Sequence, residues 1–453
     1  MSTTSAPLAV SVSARLDRLP IVRTHRVAVV VIGLGLFFDA YENFLAATIS
    51  GVLRQQLSLD RTSLNLLLGS AFVGQFLGAL VMGRVTDRIG RRKAFMINLA
   101  VYSVFSLAGA FSPNATFLVL TRFLAGIGIG AEYALADSYL SDLLPRNARG
   151  RFISWAYTVS FLGVPAVGFA ARALVPLQPL GVEGWRWLFV LGSLGSAVVW
   201  FVRRGLPESP RWLELVGRHA EADVITARME AEAVLAGHTL AEPDHDVRPT
   251  AREALPIRAL FRAPFARRTT MLWVLSALEV FGYYGFGTLA PLVLAAKGYD
   301  VITSLGFVAA TYLGYPLGSL LAVPIVERVE RKYLVMTSAT LMAVFGLAFG
   351  LASGTAVIVA AGLAYTVVSN VFSNAYHVYL AESYPTAIRG TAAGAAYSLS
   401  KLVTGALPFL LLPFLDLHGP VAVFAVVALA MGLLVVNVGV LGGRTTGRSA
   451  DAF

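Results

Sequence analysis

The chain contains no cysteine among its 453 residues. Disulfides, thiolate metal sites and cysteine nucleophiles are therefore excluded. Charge is scarce too: Asp, Glu, Lys and Arg make up 14% of the residues, where a soluble protein carries about 25%. The six histidines form no His-Glu-x-x-His set, so a zinc hydrolase has no foothold. No Gly-x-x-x-x-Gly-Lys-[Ser/Thr] loop occurs to cradle a nucleoside triphosphate, so any work the protein does draws on an ion gradient. No enzyme chemistry, metal or organic cofactor is expected.

What the sequence has in abundance is apolar. Hydrophobic residues make up 57% and the mean hydropathy is +0.70. They come in uncharged blocks of about 20, the length that crosses a bilayer as a helix. The expected fold is an all-α membrane protein with twelve spans, at roughly 27–49, 64–85, 94–111, 115–137, 152–174, 185–202, 269–294, 304–326, 333–352, 355–380, 390–413 and 420–441. The reading divides the chain into an arm at 1–26, a six-helix bundle at 27–202, a linker at 203–268, a second bundle at 269–441 and a tail at 442–453. Short amphipathic helices are expected between Glu214 and Ala236.

The net charge of +10 is placed as membrane topology requires rather than as a nucleic-acid surface. Arg15, Arg18, Arg23 and Arg26 precede the first span, and Arg84, Arg88, Arg91, Arg92 and Lys93 follow the second. Arg146, Arg149, Arg328, Arg331, Lys332, Arg444 and Arg448 fall on the same side. That bias predicts both termini in the cytoplasm. The first apolar run follows a basic arm with no small-residue cleavage site, so it reads as a span and not as a signal peptide.

Equivalent turns recur six spans apart. Gly83–Lys93 after span two answers Pro324–Lys332 after span eight. Ser141–Pro145 with Ala148–Gly150 after span four answers Ala381–Pro385 with Ile388–Gly390 after span ten. A 6+6 repeat of this kind suits alternating access about a midplane site.

The Gly83–Lys93 loop resembles the loop motif of the major facilitator superfamily. Pro207-Glu208-Ser209-Pro210-Arg211 and Arg122-Phe123-Leu124-Ala125-Gly126 resemble sugar-porter signatures. Phe38-Asp39-Ala40-Tyr41-Glu42 with Phe281-Gly282-Tyr283-Tyr284-Gly285 looks like the bacterial metabolite–proton symporters of the nicotinate and aromatic-acid branch, which are related to animal organic-ion transporters. The resemblance implies a cytoplasmic latch built from Asp87, Arg88, Arg91, Arg92, Glu132, Asp142, Arg149, Glu208, Arg211, Glu382 and Arg389. The alternative is that these charges only anchor helix ends to headgroups. In the second half Glu327 and Glu330 replace the usual Asp and Gly, so a different turn is expected there.

An ionisable group near the bilayer centre costs about 3 kcal/mol or more and therefore needs a partner or a task. Asp39 and Glu42 share a face of span one. Glu42 and Arg122 lie at matching depth in spans one and four, as an acid and an Arg do in the sugar porters. A carboxylate–Arg pair that opens and closes can move a proton, so Glu42, Arg122 and Asp39 are the proton-coupling candidates. A permanent structural pair is the alternative. The Gly126-x-Gly128-x-Gly130 run reads as close helix packing. Asn370, Ser373, Asn374 and His377 form one polar stripe, expected to face a central cavity or an interhelical seam. Tyr41, Tyr157, Glu279, Tyr283, Tyr284, Tyr397 and Lys401 complete the substrate-binding candidates. In the related organic-ion transporters a basic residue at the position of Lys401 accompanies anionic substrates; pairing of Lys401 with Glu279 or another protein acid is the alternative.

The expected function is proton-coupled import of a small organic anion, such as an aromatic or other monocarboxylate, by a monomer in the inner membrane. The partners are the substrate, protons and the lipid bilayer, with no nucleic acid. Proton-antiport efflux, organic-cation or sugar transport, and a substrate-sensing receptor on a transporter scaffold are the alternatives.

Overall fold

The computed structural model describes residues 11–243, 257–263, 265–384 and 386–445, with the side chains of Gly83, Arg84, Asp87, Ile257, Glu327, Ala381 and 386–391 outside the description. No strand occurs among the described residues. Eleven helical segments are long and apolar enough to cross a bilayer. The last, Ala392–Leu441, has 50 residues. At about 1.5 Å per residue it is more than twice the hydrocarbon thickness of about 30 Å. It folds back at Gly419, whose φ of 76° and ψ of −179° only glycine adopts readily. The chain therefore crosses twelve times and is a multi-pass membrane protein.

In order, the spans are Arg23–Thr48, Arg61–Ile89, Arg91–Ala110, Ala115–Leu143, Arg149–Leu174, Gly184–Arg203, Ala266–Ala296, Val301–Arg328, Arg331–Leu351, Thr355–Glu382, and the two limbs of Thr386–Leu441. Several outrun their apolar blocks because capped ends continue the backbone ladder. The Asp60, Asn114 and Asp300 side chains accept from the third helical N–H of spans two, four and eight. The loop expected at 414–419 is largely helix. Arg203, placed in the linker by its charge, is instead the last residue of span six.

Span four is two helices, Ala115–Ile129 and Glu132–Leu143. Its glycine run is a packing surface: a Cβ on Gly126 or Gly130 would lie 2.1 Å from the carbonyl oxygens of Ala71 or Gln75 in span two. The turn between spans two and three holds Gly90 at φ 97°, where a Cβ would also strike the Glu208 carboxylate. Its counterpart Glu330 has φ −57° and ψ 125°, so the second-half turn differs as its residues imply.

The linker folds onto the first bundle. Its helices Pro210–Leu215 and His219–Leu235 receive the arm helix Val12–Asp17. Arg15 pairs with Glu230 at 2.7 Å and Asp223 at 2.8 Å, Arg18 with Glu230 at 2.6 Å, and Arg211 with Asp17 at 2.7 Å. Arginines that the sequence assigned to topology alone thus also hold the arm down.

Candidate functional site

The two bundles touch chiefly on the side away from the linker, here called the far side. Gly69 of span two lies so close to Gly405 of span eleven that a Cβ would sit 2.3 Å from its carbonyl oxygen. Phe44 packs edge-on against Tyr312 and Tyr315 at 5.5 and 5.3 Å. Arg61 pairs with Asp416 at 2.9 Å, and Arg172 donates to the Ile302 carbonyl at 3.1 Å.

Beneath this closure lies a cavity of about 260 Å³ that opens toward the linker side past Gly150, Ile153 and Ser154. Tyr133 and Tyr157 stack at 5.8 Å and 10° to form one wall. Tyr283, Tyr284, Tyr376 and Tyr397 form much of the rest, with Ser373, Asn374, His377, Ser400 and Glu279 between them. Of the sequence candidates, Tyr157, Glu279, Tyr283, Tyr284, Asn374, His377 and Tyr397 meet here.

Three candidates do not reach the cavity wall. Tyr41 is buried in the first bundle and donates to the Leu188 carbonyl at 3.1 Å. Asn370 is buried and donates to the Tyr315 carbonyl. It belongs to the interhelical seam, while Ser373, Asn374 and His377 of the same stripe face the cavity. Lys401 is 1% exposed, screened by the Tyr284 and Tyr397 rings at 4.7 and 4.8 Å from its ammonium. It donates to the Tyr284 hydroxyl at 2.6 Å and, among the described residues, has no carboxylate at ion-pairing distance. The alternative reading, a pairing of Lys401 with Glu279, is therefore not found.

Tyr133, Tyr376, Ser154 and Ser400 were missed. Ser154 precedes Tyr157, Ser400 follows Tyr397 and Tyr376 follows Ser373, each by three residues, so helical spacing from the chosen residues would have found all three. Tyr133 has no substrate-binding candidate at such a spacing.

The membrane charges fall into distinct settings. Arg122 donates to the Glu42 carboxylate at 2.6 Å and to the Glu42 carbonyl at 2.8 Å, and Ser106 donates to the other carboxylate oxygen. Glu132, assigned by sequence to the latch, is completely buried and pairs with Arg203 at 2.6 Å. Arg203 lies against Gly35, where any Cβ would overlap its guanidinium. Asp39 is completely buried, and neither carboxylate oxygen has a hydrogen-bond donor.

The loop charges also re-pair. Asp142 takes Arg91 at 3.4 Å and the Ser209 hydroxyl at 2.8 Å rather than Arg149. Glu208 accepts from the Arg92 backbone N–H at 3.1 Å, and Arg211 pairs with Asp17 of the arm. The Arg92 side chain reaches the Arg204 carbonyl, and Arg88 is exposed. Glu382 pairs with Arg331 at 3.3 Å. Among the described residues these contacts stay within one half, and none crosses between bundles on the linker side. Asp87 and Arg389 have side chains outside the description.

The Sugar (and other) transporter family matches residues 31–451. A putative metabolite transport protein, YyaJ of Bacillus subtilis, is 33% identical over 85% of each chain. The niacin transporter NiaP of Acinetobacter baylyi is 30% identical over 97% of this chain and 99% of its own. Among solved structures, the partially occluded inward-open form of the Escherichia coli xylose transporter XylE superposes with a TM-score of 0.74 over 94% of this chain and 99% of that one, at 20% identity.

Proposed function

This chain belongs to the Sugar (and other) transporter family of the major facilitator superfamily, and we propose that it imports a small aromatic monocarboxylate together with a proton, by alternating access across the inner membrane. The observation that carries the substrate class is the cavity: six tyrosines and a histidine around about 260 Å³ suit one flat ring. The Tyr284 hydroxyl in that wall accepts from the buried Lys401 ammonium. A hydroxyl so engaged is a stronger donor through its own proton, and a carboxylate can take it. The niacin transporter among the relatives supports a ring of this size and charge. The name of the structurally similar D-xylose-proton symporter supports the driving ion, and Asp39 and Glu42 are buried carboxylates able to carry it. With the linker side as the cytoplasm, as the basic bias requires, the structure is the inward-facing state.

A second reading, an aromatic cation, has one observation in its favour. Glu279 is the charged side chain that lines the cavity, and tyrosine faces attract cations. Counterflow in proteoliposomes loaded with nicotinate separates the two. Competition by benzoate but not by nicotinamide or N-methylpyridinium supports the acid, whereas selective competition by the pyridinium rejects it. An inward proton gradient must concentrate nicotinate; accumulation only against an outward gradient makes the protein an antiporter.

A further inference from the structure

Among the described residues, a buried acid in one bundle and a buried ammonium in the other lack a counter-ion of their own. Asp39 lies in the first bundle with both carboxylate oxygens unbonded. Lys401 lies in the second, buried, with a phenol as its hydrogen-bond acceptor. They converge on one stretch of span two. Lys401 is one turn from Gly405, the residue that touches Gly69, and its ammonium is 5.8 Å from the Phe72 ring. One turn from Asp39, Asn43 faces the same stretch: its amide donates to the Asp39 main-chain carbonyl and accepts from Gln75 of span two.

We propose that Asp39 and Lys401 form an ion pair between the bundles in the other state of the transport cycle, and that a proton on Asp39 dissolves it in the state seen here. This rests on the proton-coupled reading above and assigns the coupled proton to Asp39 rather than to Glu42. Glu42 is already satisfied by Arg122 and Ser106, all within the first bundle, so rigid-body rocking leaves that pair unchanged. A buried carboxylate without donors is tolerated as the neutral acid, not as the anion.

The surroundings of both groups agree. The charges acting on Asp39 are Glu132, Lys401, Arg203 and Glu42. Glu132 and Arg203 are paired with each other and Glu42 with Arg122, which leaves Lys401 as the free cation. The acids acting on Lys401 are Asp39 first and Glu279 second; His377, Tyr284 and Tyr397 complete its surroundings. When the Asp39 O–H bond breaks, the proton leaves to water in the cavity. The carboxylate so formed draws the ammonium away from the Tyr284 hydroxyl. Proton loading reverses both steps, so Lys401 supports the substrate wall only while Asp39 is neutral. One proton is thereby coupled to one anion.

Spin labels on Arg151→Cys and Arg328→Cys, both exposed on the linker side of opposite bundles, report the state in an otherwise cysteine-free chain. The wild-type distance distribution should shift between acid and alkaline pH. Asp39→Asn and Lys401→Met should each abolish that shift, Asp39→Glu should retain it, and Asp39→Asn/Lys401→Met, which contains neither charge, should match the single variants. In proteoliposomes Asp39→Asn should lose proton-driven accumulation of nicotinate and keep counterflow. Retention of the wild-type shift by Asp39→Asn or by the double variant overturns the assignment and leaves proton coupling standing. A wild type whose distances ignore pH and that accumulates nothing on a proton gradient overturns both.

Discussion

Arg122 holds Glu42 from two directions with both side chains buried, so removing either partner has unequal consequences. Arg122→Met leaves a buried carboxylate without its counter-charge and should lower stability by roughly 3–5 kcal/mol. Glu42→Gln/Arg122→Met should recover most of that loss, because no unpaired charge remains. Thermal unfolding of the purified variants in detergent measures both, and a double variant as unstable as Arg122→Met would contradict the argument. At the cavity, Tyr284→Phe removes the hydroxyl that Lys401 polarises. A charge-assisted bond of about 1.5–3 kcal/mol corresponds to roughly ten- to hundredfold in affinity, so nicotinate should weaken by that factor while nicotinamide changes little. Equal losses for the two ligands, read by calorimetry, would place the substrate carboxylate elsewhere. The Glu42–Arg122 contact was legible in the sequence because the two opposite charges interrupt apolar runs at matching depth. Arg203 was not. It ends its run beside Arg204, and nothing local points to Glu132, 71 residues earlier. The concealment of Lys401 behind two tyrosines is a rotamer and packing outcome that spacing cannot supply.

The spans themselves were legible because lipid forces every backbone group to bond within its own helix, which leaves length and hydropathy as sufficient signals. Their breaks and joins were not. Span four divides beside Gly130 at its contact with Gln75, and spans eleven and twelve run on to a single glycine. The first follows from a neighbouring helix; the second rests on one residue's positive φ, which hydropathy does not register. Helix contacts yield a direct test of the far-side closure. Gly69→Ala would place a methyl 2.3 Å from the Gly405 carbonyl oxygen, which the present arrangement cannot hold. The variant should therefore shift toward a far-side-open population, seen as longer distances between labels on Leu177→Cys and Ser353→Cys; an unchanged distribution would mean that spans two and eleven yield locally instead. The arm helix provides a test against pH. Burial of Glu230 favours its neutral form, but hydrogen bonds from Arg15 and Arg18 outweigh this and hold its carboxyl below the usual range. A lowered folded value means the docking energy is full above about pH 4.3, the ordinary glutamate value, and fades as pH falls through the lowered one. The hydrogen-exchange protection factors over residues 11–18, taken relative to the intrinsic rate at each pH, should fall on acidification, and Glu230→Gln should show the same lost protection at neutral pH.

At the scale of the whole molecule, closure on one side and a cavity open on the other make access directional. Ser154→Cys, at the mouth, and Ser373→Cys, deeper in the wall, should react with a membrane-impermeant thiol reagent added from the linker side and resist it from the far side. In inside-out and right-side-out vesicles the same experiment establishes whether the linker side is the cytoplasm; labelling from the outside of intact cells would reverse the assigned orientation. The docked arm has a further consequence, one of timing. Val12 donates its N–H to Glu214, 202 residues later in the chain, and Arg15 waits for Glu230. At about 5–20 residues per second, the helix Val12–Asp17 stays without its seat for roughly 10–40 s after it is made, while all six spans of its bundle are being inserted. The arm is thus among the last parts of the first bundle to settle. A nascent chain arrested before the linker has emerged should expose that arm to protease, and one arrested far enough past residue 243 for the linker to clear the ribosome should protect it.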